Sequence, residues 1–153
     1  MPLIELKTLI RASPEACCRL SLSTEAHLGS MAHTGERVLS GRSRGIFETG
    51  DTVTWEARHL GRLRQLEVRI TAIDFPRHFR DEMVRGDFRA MKHDHYFKPD
   101  GHGNTLMRDL FYYEVPYGIA GAIFDRCYLR RYMKHLLLTR NEHLQKLAEA
   151  DAK

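Results

Sequence analysis

The stretch from Tyr117 to Ala150 constrains the fold most, because it reads as one unbroken helix. Within it Ile119, Ala122, Ile123, Leu129, Met133, Leu136, Leu137, Leu144 and Leu147 recur at three- and four-residue steps, which gathers them on one side of a spiral. No proline interrupts the run. Pro116 stands just ahead of it, where a missing N–H costs nothing, and Gly118 and Gly121 sit in the first turns, where a backbone can come close to a neighbour. A helix of that length spans roughly 45 to 50 Å, enough for a coiled coil or a bilayer crossing. Neither fits, because the heptads are irregular and Arg126, Arg130, Arg131, Lys134 and Arg140 break every apolar run that would cross a membrane. What remains is a helix laid across a sheet, with no stable membrane insertion.

The residues ahead of that helix alternate as strands do. Leu3 to Ile10 places Ile4 and Leu6 on one face. Ser13-Pro14-Glu15 and Ser23-Thr24-Glu25 are helix starts, so two short helices should follow the first strand, the second stopping at Gly29. Arg37 to Phe47 gives a weaker strand signal, since Gly41 and Gly45 interrupt it. After a turn at Glu48 to Asp51, Val53, Trp55, Ala57 and His59 alternate with Thr54, Glu56 and Arg58. A hairpin at Gly61-Arg62 then leads into Leu66, Val68, Ile70 and Ala72, alternating with Glu67, Arg69 and Thr71. Phe79 to Arg85, Phe88 to Phe97 and Thr105 to Val115 follow, separated by short turns that make the pairing mainly antiparallel. The order predicts an α+β fold: a seven-stranded curved antiparallel sheet wrapped around the long C-terminal helix, with two short helices between strands 1 and 2.

That order resembles the helix-grip fold of START-like domains. Three segments, V-T-W-E-A-R-H at Val53 to His59, F-R-D-E-M-V-R-G at Phe79 to Gly86 and H-D-H-Y-F at His93 to Phe97, resemble the polyketide cyclase/dehydrase-like branch of the SRPBCC superfamily. So do M-R-D at Met107 to Asp109, V-P-Y-G-I-A-G at Val115 to Gly121 and R-N-E-H-L at Arg140 to Leu144. The resemblance runs over nearly the whole chain and implies a single START-like ligand-binding domain over residues 1–153. It implies little about the ligand, because the superfamily includes lipid carriers, hormone binders and cyclases.

Composition agrees with one globular unit: 153 residues, 42% hydrophobic and 29% charged, suffice for a core without staples. The formal charge of +4 comes from arginines scattered along the chain, so no nucleic-acid partner is expected. Cys17, Cys18 and Cys127 make a poor disulfide framework and lack metal-binding spacing, which points to a reducing compartment. The first residues, MPLIELKTLIRA, carry Glu5 and Lys7 where a signal peptide would be apolar, so a cytoplasmic protein with its start intact is expected. Homodimerisation through the first sheet edge or the outer side of the long helix stays open.

The candidate site lies on two strand faces. Met91, His93, His95 and Phe97 share one face of their strand, and Met107, Asp109, Phe111, Tyr113 and Val115 share another. Trp55, Leu66, Val68, Met91, Phe97, Phe111, Tyr113, Met133 and Leu137 are the expected apolar walls of a pocket of about 300 to 1,000 Å³. His93, His95, Asp109 and Arg130 are the expected anchors of a polar head such as a carboxylate or phenol. Arg126 and Arg130 fall on the apolar stripe of the helix, with Arg140 at its edge, and a buried charge needs a partner. Asp81, Asp109 and Glu82 are the candidate partners. His-x-His begins a metal site but needs a third group, for which His59 and Asp109 are available, and no metal site is expected from so short a motif. No catalytic fingerprint and no cofactor motif is present, and Cys127 reads as a packing residue. Three readings follow: a module binding a hydrophobic or amphipathic small molecule, a cyclase or dehydratase using His93 or His95 as acid and base, and an interaction module with a filled interior.

Overall fold

The computed structural model describes residues 2–153. Seven strands form one antiparallel sheet in the order β1-β7-β6-β5-β4-β3-β2, with β1 Leu3–Ile10, β2 Arg37–Gly41, β3 Thr52–His59, β4 Arg62–Asp74, β5 His78–Arg85, β6 Ala90–Pro99 and β7 Thr105–Glu114. Register shifts between Val38 and Ser40 on β2 and at two places in the β4–β5 pair insert unpaired residues. Each such bulge bends its strand, and together they curl the sheet into a concave grip.

Helices α1 (Pro14–Ser21) and α2 (Thr24–Ser30) follow β1. Both start as their sequences dictate: the Ser13 hydroxyl accepts from the Ala16 amide at 3.2 Å, and the Ser23 hydroxyl from the Ala26 amide at 3.1 Å. Glu25, in the first turn of α2, also accepts from the Gly45 amide at 3.0 Å, which ties the loop after β2 to the helix.

The C-terminal helical run, 118–151, is not the unbroken α-helix expected. It consists of α3 (Gly118–Phe124), a π-helical turn (Asp125–Leu129) and α4 (Arg130–Asp151). A π turn holds one residue more than an α turn, so the segment ahead of it is rotated by about 100° relative to an ideal spiral. The physical consequence is direct. Ile119 and Ile123, expected on the inner stripe, are 82% and 59% exposed, and Cys127 is exposed rather than packed. Gly121 and Asp125 face inward in their place. The close approach expected in the first turns occurs at Gly121, where an added Cβ would collide with the Pro116 carbonyl oxygen.

Helix α4 lies against β1, α1 and α2. Its inner face carries Leu137, Arg140, Asn141, Leu144 and Ala148, all buried, and Gln145 Nε2 donates to the Leu9 carbonyl on β1 at 3.0 Å. Toward the other end, the helix and the concave sheet do not meet, and a cavity separates them. Among the described residues no helix is long and apolar enough to cross a membrane.

Candidate functional site

Strand register builds the site. Across β5–β6, Asp81 stands opposite His93 and Phe79 opposite His95; across β6–β7, His93 stands opposite Phe111 and His95 opposite Asp109. Residues directly opposite in an antiparallel pair share a face. Two acids and two histidines therefore meet on the concave side, flanked by aromatic rings. Phe79 stacks on His95 at 4.0 Å between centroids, and the two imidazoles stack on each other at 3.8 Å.

Asp109, 1% exposed, is the hub of the cluster. Its Oδ1 lies 2.9 Å from His93 Nε2, 3.2 Å from His95 Nδ1 and 3.4 Å from Arg140 Nη1. Its Oδ2 accepts from Asn141 Nδ2 at 2.7 Å, and Arg140 Nη1 also donates to Asn141 Oδ1 at 2.8 Å. This network assigns the proton to Nε2 in His93. His95 Nδ1 stands between Asp109 Oδ1 at 3.2 Å and the donor Arg140 Nη2 at 3.4 Å, and carries a proton only when it turns to Asp109. On the far side of His95, Nε2 lies 3.5 Å from Asp81 Oδ2 without forming a hydrogen bond. His95 Nε2 and Asp81 Oδ1 are buried polar atoms with no hydrogen-bond partner.

The electrostatics follow from that arrangement. Burial pulls His93 down to about 4, helped by His95 at its side and opposed by Asp109. Burial also works against charging His95, but Asp109 and Asp81 outweigh it and the net shift is upward. Asp109 is driven by burial toward neutrality, yet its bonds to His93 and His95 and the charge of Arg140 hold it well below the usual carboxylate range. Asp81 is lowered for similar reasons, chiefly through His95. Two carboxylates thus face one permanent cation, Arg140.

This cluster floors a cavity of about 570 Å³ between the sheet and the helical run. Of the expected wall residues, Trp55, Leu66, Val68, Met91, Phe111, Met133 and Leu137 line it, as do His93 and His95. Phe97 and Tyr113 do not: Phe97 packs behind Phe79, with centroids 6.0 Å apart, and the Tyr113 hydroxyl donates to Asp125. Asp109 lies beneath the histidines rather than on the cavity surface. Tyr117 and Phe124, 86% and 47% exposed, also line the cavity, so it opens to solvent beside α3.

The helix arginines require a correction. Arg126 is exposed, and Arg130, with a half-exposed side chain, pairs with Asp125 at 2.8 Å rather than with Asp81 or Asp109. The π turn is the cause, since it turns Arg126 outward and brings Asp125 in. The buried arginine at the floor is Arg140, which the sequence places three residues beyond Leu137 and four before Leu144, on the inner face. Asn141 is a second floor residue with no sequence signal beyond its place beside Arg140. His59, available in sequence as a third group beside the His-x-His pair, bonds Tyr132 Oη through Nδ1 at 2.6 Å at the end of β3.

No family model and no curated protein matches the chain in sequence. Solved structures do match in shape. TTHA0849 from Thermus thermophilus superposes with a TM-score of 0.80 at 19% identity, covering 99% of this chain and 100% of that one. A START superfamily protein from Mycobacterium smegmatis gives 0.65 at 15% identity over 98% and 96% of the two chains. Norcoclaurine synthase from Thalictrum flavum, in complex with dopamine and hydroxybenzaldehyde, gives 0.68 at 12% identity over 95% of this chain and 85% of that one. With the sheet order, the short helix pair and the C-terminal helical run on the page, these likenesses show that the chain shares the fold of these structures, one of them a START superfamily protein, which is the helix-grip arrangement expected.

Proposed function

We propose that the protein binds an amphipathic small molecule in the cavity between sheet and helix. Its apolar body lies against Trp55, Leu66, Val68 and Leu137, and its polar head rests on the floor at Asp81 and His95. One observation carries this reading: a largely apolar cavity of about 570 Å³ has on its floor Asp81 and His95, each with a buried polar atom, Oδ1 and Nε2, that lacks a partner. Leaving such a group unpaired costs about 1–3 kcal/mol, which a fitting head group recovers. Asp81 is held ionised, so its free oxygen accepts. A phenol or hydroxyl fits it, and a carboxylate head would meet like charge. Support also comes from norcoclaurine synthase, which shares the fold and holds dopamine and hydroxybenzaldehyde, both hydroxylated rings. The cavity weighs against the filled interior of an interaction module.

Trp55, the sole tryptophan, lines the cavity and reports on its contents. Titration with a hydroxylated aromatic probe should change its fluorescence saturably. The methoxy analogue, which cannot donate to Asp81, should bind about tenfold or more weakly, as loss of a hydrogen bond to a charged group implies. No saturable response, together with no co-purifying small molecule in native mass spectrometry, would overturn the reading.

A further inference from the structure

The cavity floor presents more than a hydrogen-bonding surface. Asp81, His93 and His95 each bring one ligating atom into a group whose members lie within 4.8 Å of one another. We propose that these three residues bind a divalent first-row transition-metal ion, with its open coordination positions facing the cavity. This goes beyond the binding of an organic molecule, and rests on that reading only for what takes the open position.

Four features of the floor converge on a metal. The donor set is two imidazoles and a carboxylate, which suits zinc or ferrous iron better than calcium or magnesium, whose sites are built from oxygen. The donors sit on adjacent strands of a rigid sheet, His93 and His95 two residues apart on β6 and Asp81 opposite His93 on β5. Behind them, Asp109 accepts from Nε2 of His93 and stands 3.2 Å from Nδ1 of His95, a nitrogen that also faces Arg140 Nη2 and turns its proton to Asp109 when a metal takes Nε2. A carboxylate that accepts a hydrogen bond from one ring N–H orients the ring and leaves the other nitrogen's lone pair for a metal. That remaining atom is Nδ1 in His93 and Nε2 in His95, and the latter is buried without a partner, as is Asp81 Oδ1. Finally, with neutral imidazoles the floor carries two carboxylates against the single guanidinium of Arg140. A divalent cation reverses that negative balance.

The geometry needs a contraction and a rotation of the rings, because the two imidazoles stack at 3.8 Å with planes 29° apart and must turn before both lone pairs meet one ion. Ligand distances of about 2.1 Å set donor separations of roughly 3.4 Å in a tetrahedral site. His95 Nε2 and Asp81 Oδ2 are already 3.5 Å apart. Asp81 is the adjustable member, since its side chain is 20% exposed and one oxygen is free. Three protein ligands leave at least one position open. If an amphipathic molecule occupies the cavity, its hydroxyl or phenol oxygen takes that position.

Chelator-treated full-length protein, titrated with Zn²⁺ by calorimetry and with Co²⁺ by visible absorption, tests the site. One equivalent of each should bind, and bound Co²⁺ should show the d–d bands of a four- or five-coordinate ion. His95→Gln and Asp81→Asn should each weaken Zn²⁺ binding more than tenfold, and Asp109→Asn about 10- to 100-fold through loss of ring orientation. His135→Ala, at an exposed position on α4, should change nothing. Should His95→Gln fail to fold, Asp81→Asn alone decides, with circular dichroism confirming its structure. The proposal is overturned by absence of stoichiometric binding, by Zn²⁺ affinity unchanged in Asp81→Asn, or by binding lost in His135→Ala. Because metal is titrated without an organic probe, and the Trp55 experiment can be run in chelator, the two readings fail separately.

Discussion

Arg140 on α4 reaches Asp109 on β7, with Nη1 3.4 Å from Oδ1, and so joins helix to sheet beneath the cavity. Both side chains are buried, at 8% and 1% exposure. Removing one member of such a pair leaves the other charge without its counterion, at a typical cost of about 3–5 kcal/mol. Asp109 keeps His93 and Asn141 as donors, with His95 Nδ1 3.2 Å away and freed from Arg140 to turn a proton to it. Arg140→Met should therefore destabilise by about 3 kcal/mol, toward the lower end. Arg126→Ala, at an exposed position, should stay within about 0.5 kcal/mol. Urea unfolding followed by Trp55 fluorescence compares the two, and equal effects would refute this assignment of the helix face.

A second anchor holds the π turn. The Tyr113 hydroxyl donates to Asp125, and Arg130 Nη2 donates to the other oxygen of the same carboxylate at 2.8 Å. Burial and the neighbouring Asp125 raise the Tyr113 hydroxyl well above its ordinary pKa, so it stays a donor. Tyr113→Phe leaves a carboxylate that is 2% exposed with one partner fewer, which should cost about 1–3 kcal/mol. Arg130→Ala should cost about 1 kcal/mol or less, since its side chain is 51% exposed and solvent screens the pair. A larger loss from Arg130→Ala than from Tyr113→Phe would contradict this ranking.

These two anchors also show what was legible in the sequence. Alternation correctly placed Met91, His93 and His95 on one strand face and Asp109, Phe111 and Tyr113 on another, because side-chain direction in a strand has a period of two. It did not reveal that Asp81 faces His93 and Asp109 faces His95. Strand register depends on turns and bulges, and a slip of one residue reverses every face. The helix phase failed for a different reason. Counting back from Leu137, Met133 and Leu129 at 3.6 residues per turn puts Arg126 on the inner stripe, and only the extra residue of the π turn replaces it with Asp125. Arg140 lies beyond that turn, where the count still holds.

Narrowing the cavity should weaken binding. Ala57 lines the cavity beside Trp55 but is 2% exposed, so a larger side chain there presses on its neighbours as it narrows the cavity. Ala57→Leu should therefore destabilise by about 1–3 kcal/mol, as enlarging a closely covered side chain does. Affinity for a hydroxylated aromatic probe should fall at least tenfold, measured by isothermal titration. Unchanged affinity would place the bound molecule elsewhere.

Thiol chemistry reads out the rotation of the helix ahead of α4. Cys127 is exposed on the π turn, whereas Cys17 and Cys18 are buried under α4, and burial pushes the Cys18 thiol up to about 12. Thiolate is the reactive form, so one thiol in three should react with an aromatic disulfide reagent in the native protein at neutral pH. All three should react in denaturant, and Cys127→Ser should abolish the native reaction. Rapid native labelling of Cys17 or Cys18 would mean that α1 is not held as described.

His59 gives the cavity a pH-dependent wall. Its Nδ1 lies 2.6 Å from Tyr132 Oη, and both residues line the cavity, joining the end of β3 to α4. Burial lowers the His59 pKa below its ordinary 6.5, with Glu36 opposing and Arg64 assisting. The unfolded chain then takes up this proton more readily than the folded one. The stability that His59 contributes is therefore complete above pH 6.5 and declines as pH falls through the folded-state pKa. Nuclear magnetic resonance titration of the ring should show a midpoint below 6.5, with the Tyr132 ring signals shifting in step. His59→Phe removes both the proton and the bond to Tyr132. Its stability should consequently fall less steeply between pH 6.5 and the His59 midpoint than that of the parent protein, and parallel curves through that window would show that the ring titrates as it does in the unfolded chain.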